Sequence, residues 1–153
     1  MFEPSAPVAP TTETPPDPAL IVADEAFNTA MRTYETGGDA TVLVKDALAR
    51  YQALPTPDSD AQFHIALLQT AAGDFAAANT TCELLLSEHP NHLLAIGAAA
   101  RAAKKAGDAA AARTWYQRYV DAWDQPREPL HEYEEHARLL TTFQNAAFAA
   151  LAG

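Results

Sequence analysis

Two kinds of helix-breaking punctuation recur along the chain at one interval, and together they constrain the fold more than any other feature. Gly-Asp pairs fall at Gly38, Gly73 and Gly107, 35 and 34 residues apart, and prolines interleave with them at Pro55, Pro90 and Pro126, 35 and 36 apart. Between the breaks, apolar residues recur at helical spacing, alanine dominates, and nothing alternates as strands do. Interleaved marks at one period describe a two-helix unit written three times. Glycine closes the first helix in a left-handed cap, the aspartate after it caps the start of the second, and proline ends that helix and opens the next unit. The spacing predicts helices over residues 22–36 and 39–53, 58–72 and 75–88, and 91–106 and 109–124.

A hairpin of two amphipathic helices cannot bury its apolar face alone, so three stack on a shared core and the last needs a cover. Residues 127–153 supply one. Leu130, Tyr133, Ala137, Leu140, Gln144, Ala147 and Leu151 make a mostly apolar stripe, and the segment is read as a single capping helix. Its second apolar edge, Phe143 and Phe148, exceeds what a cap requires and is available to a ligand. At the other end, six of the eleven prolines lie within residues 1–18, which reads as a polyproline-type tail or spacer. The expected architecture is all-α: a right-handed α-solenoid of three antiparallel helical hairpins over 19–126, with the capping helix after it.

Composition removes several classes of function. A net charge of −10 argues against nucleic-acid binding, which needs a basic surface. The longest apolar run, Leu93 to Ala100, is far too short to span a membrane, and no Lys or Arg precedes Arg32 in a signal-like context. The sequence reads as soluble, either cytoplasmic or associated with a cell envelope, and its alanine-rich, lysine-poor composition suggests a high-GC bacterial source. Cys82 is the sole cysteine, placed mid-helix as a core thiol.

Catalytic constellations are missing from the sequence pattern. "HEYEEH" looks like a zinc-protease helix, but His131 and His136 are five apart and diverge by about 140° around a helix. "HPNH", with His89 and His92, reads as an inter-unit turn. Neither a phosphate-binding loop nor a nucleophile elbow is present. The expectation is a non-enzyme with no cofactor and no metal.

The period and its marks resemble the tetratricopeptide repeat family, whose unit is a 34-residue helix-turn-helix. With Gly73 at the family's turn glycine, its small residues fall on Ala66 and Ala78 and its proline on Pro90; the next unit places Ala100, Gly107, Ala112 and Tyr116 likewise. In the first unit Phe27, Met31, Tyr34, Gly38 and Pro55 align, while Leu43 departs from the expected alanine, and Asp124 departs from the third proline. The resemblance spans residues 24–126 and implies that the first helix of each hairpin lines an inner groove. Glu25, Asn28 and Arg32, then Asp60, Phe63, His64 and Leu67, then Leu94, Gly97, Ala98 and Arg101 would face it. Some family members clamp a chaperone's acidic C-terminus with Lys and Asn. Asn28 and Arg32 match half of such a clamp, but Leu94 and Ala98 stand where its other cations belong, so an apolar or proline-rich extended peptide suits the groove better.

Charge placement adds a second candidate surface. Residues 51–100 hold five acids and no Lys or Arg, whereas residues 101–118 hold Arg101, Lys104, Lys105, Arg113 and Arg118 against Asp108 alone. These cations either offset Glu128, Glu132, Glu134 and Glu135 of the final segment or contact an acidic partner. The functional expectation is a non-catalytic protein–protein interaction module, binding a peptide or subunit through Asn28, Arg32, Phe63, His64, Leu67, Leu94, Arg101, Lys104 and Lys105. The alternative is a structural subunit of a larger assembly whose proline-rich tail docks on a neighbouring chain, another protein or a second copy.

Overall fold

The computed structural model describes residues 17–153, so the tail call, residues 1–18, lies outside the described residues except for its last two positions. Those two belong to a helix. Asp17 accepts the Ala19 N–H at 2.9 Å and Pro18 occupies the first helical position, where its fixed φ is pre-set for a helix. The first helix therefore starts four residues earlier than its apolar spacing indicates.

Eight helices follow in order, with no strand among the described residues: α1 (Pro18–Glu35), α2 (Thr41–Gln52), α3 (Ser59–Ala71), α4 (Phe75–Glu88), α5 (Leu93–Lys105), α6 (Ala109–Trp123), α7 (His131–Glu135) and α8 (Ala137–Leu151). Helices α1 and α2, α3 and α4, and α5 and α6 pair as hairpins; α2 then packs on α3 and α4 on α5, so three units stack. None of these helices is long and apolar enough to cross a membrane.

The turns carry the expected chemistry, with one shift. Gly73 and Gly107 adopt φ of 81° and 80°, the left-handed region, and Asp74 and Asp108 cap α4 and α6 by accepting the N–H of Ala77 and Ala111 at 3.2 and 3.0 Å. In the first unit the left-handed residue is Gly37, at φ 82°, not Gly38. Asp39 consequently accepts from Thr41, only two residues on, and α2 begins at Thr41 rather than at 39.

Alanine at the unit's small positions lets the helices close up. Ala66, Ala78, Ala100 and Ala112 are all buried, and the inner helices α3 and α5 are enclosed over most of their length. Helix α3 touches α1, α2, α4 and α5, and Asp60, Phe63, His64, Leu67 and Leu68 are all buried on it. The Cys82 thiol lies in this core, where burial pushes its pKa up to about 12.

The C-terminal segment departs from the single-helix expectation. It breaks at His136, whose φ of −113° and ψ of 30° leave the helical region, and divides into α7 and α8. Helix α8 then packs on α6 and α5 through Leu140, Phe143 and Ala147. Phe143 is thus a core residue and not a spare apolar edge; Phe148 alone stays largely exposed.

The seat of Phe143 depends on Gly97. A Cβ on Gly97 would fall 2.2 Å from the Phe143 ring, closer than real carbon contacts come. Glycine inside an alanine-rich helix is unfavourable by about 1 kcal/mol, so close approach of α8 accounts for it. Gly97→Ala should therefore lower stability by roughly 1–2 kcal/mol in net, because overpacking outweighs the gain in helix propensity. Urea denaturation measures this, and in the Gly97→Ala background Phe143→Leu should cost less than it does alone.

Candidate functional site

Helices α1, α3 and α5 form the floor of a groove, and α8 forms its far wall. The groove encloses about 500 Å³ and is lined by Phe27, Asn28, Met31, Arg32 and Glu35 of α1, Leu67 of α3, Arg101 of α5, His136, and Arg138, Leu139 and Thr142 of α8. It continues into an open recess that shares Met31, Glu35 and Arg101 and adds Tyr34 and Lys105. The centre is apolar. Three arginines and one glutamate line the first part, a positive local balance in a chain of net charge −10.

The wall is held by the segment leading into it, and the contacts begin with local capping. At the start of α5, His92 accepts the Ala95 N–H on Nδ1 at 3.2 Å. That fixes its proton on Nε2, which donates to Glu132 Oε2 at 2.9 Å. Ser59, the first residue of α3, donates its hydroxyl to the same oxygen. Both His92 and Glu132 are fully buried, and the Tyr133 hydroxyl accepts the Leu93 N–H at 3.2 Å beside them. One carboxylate therefore ties α7 to the N-terminal ends of two inner helices.

One turn further on, His136 enters a second buried cluster. Its Nε2 lies 3.1 Å from Asp60 Oδ1 and 3.0 Å from His64 Nε2, and His64 Nε2 lies 3.2 Å from the same Asp60 oxygen. The other face of His64 is set by α1 and α2: the Tyr51 hydroxyl donates to Asp24 Oδ1 at 2.5 Å, so its oxygen accepts from His64 Nδ1 at 2.8 Å. Phe27 stacks on the His64 ring at 4.0 Å. For Asp24, burial acts to raise the carboxyl pKa, but hydrogen bonds from His64 and Tyr51 outweigh it and hold the group below its usual range. Among the described residues, Asp60, His64 and His136 are placed to hold a metal ion, as are Asp60, His131 and Glu135 on the outer side.

The structure divides the residues expected to face the groove. Asn28, Arg32, Leu67 and Arg101 line it together. Phe63, His64 and Leu94 do not: all three are buried, Phe63 and His64 against His136, because the C-terminal segment crosses the inner helices there. Lys105 borders the recess with its ammonium 5.3 Å from the Tyr34 ring, and Lys104 is exposed outside the groove. The groove roles of Phe27, Met31, Glu35, His136, Arg138, Leu139 and Thr142 escaped the sequence reading, since only the path of α8 brings the last three opposite α1.

Among the described residues the third-unit cations form no ion pair with the final segment's acids; Glu128 and Glu132 meet His89 and His92. The cations serve other purposes: Arg113 donates to the carbonyls of Ala150 and Gly153 at the end of α8, Arg118 to that of Pro90, and Arg101 lies 4.9 Å from the Phe143 ring. "HEYEEH" thus carries structure-defining contacts through Glu132 and His136, spaced four apart, and "HPNH" through His89 and His92.

The Glu132 contacts give a pH signature. Burial acts to raise its pKa, yet the hydrogen bonds from His92 and Ser59 outweigh that and hold it at about 2, against an ordinary 4.5. The unfolded chain takes up this proton first, so the stabilisation is complete above the ordinary value and is lost as pH falls from there toward 2. Glu132→Gln should cost roughly 2–3 kcal/mol at neutral pH and flatten the stability profile across that window. Denaturation midpoints measured from pH 7 to pH 2 decide it.

No protein-family model matches the chain, and no curated protein matches it. Among solved structures, it is similar to that of the Yersinia enterocolitica type III secretion chaperone SycD in complex with a peptide of the translocator YopD. The TM-score is 0.53 at 17% identity, over 83% of this chain and 92% of that one. At that identity the likeness is one of fold.

Proposed function

We propose that this chain is a non-catalytic interaction module that holds an extended segment of a partner protein in the groove between α1 and α8. The observation that carries this reading is the groove itself, with Met31, Leu67 and Leu139 at its apolar centre and Arg32, Arg101 and Arg138 around it. That lining suits a peptide bearing apolar side chains next to acidic ones. The similarly folded chaperone is described in complex with a peptide of another protein, which supports the same use here. The three hairpins are read as degenerate tetratricopeptide-type repeats on the strength of their period, their left-handed glycines and their buried alanines.

Peptides selected from a random displayed library on the full chain should test this directly. Their affinity should fall about tenfold or more on double charge reversal, Arg32→Glu with Arg138→Glu, and should weaken with added salt. Both side chains are exposed, so helicity should not change. Fluorescence anisotropy reads the binding. Failure to select any groove-dependent peptide, together with an oligomer that dissociates when residues 1–16 are removed, would favour the structural-subunit reading instead.

A further inference from the structure

Three electron-pair atoms converge where α7 meets α8: Asp60 Oδ1, His64 Nε2 and His136 Nε2, with edges of 3.0, 3.1 and 3.2 Å. Their chemistry is fixed by what lies behind them. Tyr51 has one hydroxyl proton and gives it to Asp24, so His64 must present its Nδ1 proton to the Tyr51 oxygen. With its proton on Nδ1, His64 turns its Nε2 lone pair toward a carboxylate oxygen, acceptor against acceptor. One proton on His136 can lie along one edge of this triangle or be shared between two, but it cannot serve all three. A cation centred over the triangle can.

We propose that Asp60, His64 and His136 bind a divalent transition-metal ion of the Zn²⁺ class. Two imidazoles and a carboxylate form a donor set that Zn²⁺ accepts, and three tetrahedral ligands at its usual bond lengths stand roughly 3.3 Å apart, close to the spacing observed. The hydrogen bond from His64 Nδ1 to the Tyr51–Asp24 pair is the outer-shell arrangement that orients a metal-bound histidine. Charge agrees as well. Asp60 is buried, the basic side chains within 4 Å of its carboxylate are histidines alone among the described residues, and Asp24, behind the Tyr51 hydroxyl, adds a second carboxylate whose charge a divalent ion would balance.

Asp60 and His64 are one helical turn apart on α3, whereas His136 arrives from the C-terminal segment, so the ion bridges two pieces of chain distant in sequence. Its role is structural: it locks the groove wall onto α3. The site stands independently of the peptide-binding reading, and either can fail without the other.

The test is Zn²⁺ titration of the chelator-stripped full chain by calorimetry, with melting temperature measured alongside. One ion should bind per chain, and a hundredfold excess over Kd should raise Tm by roughly 5–10 °C. His136→Gln should weaken binding at least about tenfold with helicity intact, while His131→Ala, whose ring lies outside the triangle, 3.8 Å from the other Asp60 oxygen, should not. Co²⁺ in the wild-type chain should give the intense visible bands of a four-coordinate ion, a readout that needs no variant. No uptake of Zn²⁺, uptake indifferent to His136→Gln, or uptake abolished by His131→Ala would each overturn the proposal.

Discussion

Helix α7 is five residues long, too short to be stable by itself, and yet it sets the position of everything after it. What fixes it is a pair of inward side chains one helical turn apart. Glu132 reaches His92 and Ser59 at the N-terminal ends of α5 and α3, and His136 reaches His64 and Asp60 on α3. A buried carboxylate is strongly disfavoured unless hydrogen-bonded, and Glu132 takes both of its bonds on Oε2 while Oε1 is buried without a partner, so a register that lost His92 and Ser59 would leave the whole group unsatisfied. With α7 seated, Phe143 meets the bare backbone of Gly97, α8 lies along α5 and α6, and Arg138, Leu139 and Thr142 come to face α1. Without that seat, the inner helices would offer an open surface in place of a walled groove.

Polar specificity is layered over an unspecific core. The alanines at 66, 78, 100 and 112 permit close packing but choose no particular partner, since alanine fits against alanine in many registers. Directional contacts supply the choice. The His92 ring caps α5 with one nitrogen and meets α7 with the other, and the Tyr51 hydroxyl connects α1, α2 and α3 through Asp24 and His64. Each such group couples a local feature of one helix to the placement of another.

The repeat frame was legible in the sequence because helix caps are local: Gly73-Asp74 and Gly107-Asp108 act where they stand. In the first unit the doubled glycine obscured which residue would turn left-handed, and the cap geometry moved with it. The site was less legible. Asn28, Arg32, Leu67 and Arg101 follow from the inner faces of the hairpins and do line the groove, but Phe63, His64 and Leu94 share that helical phase and are covered. Helical periodicity gives the side of a helix, not what crosses it. Two signals pointed to the crossing segment: the glycine at 97 inside an alanine helix, and the Glu132 and His136 spacing of four. Both only become informative when read against a second helix, as Asp60 and His64 show with the same spacing on α3.

Native-state hydrogen exchange tests the central claim most directly, because it reports whether α7 and α8 belong to the same cooperative unit as the inner helices. The account predicts that amides of α8 around Leu140, Phe143 and Ala147 exchange as slowly as those of α5 around Leu94 and Ile96. Rapid exchange throughout α8, with α1 to α6 still protected, would show that the segment opens by itself and that the groove has no standing wall.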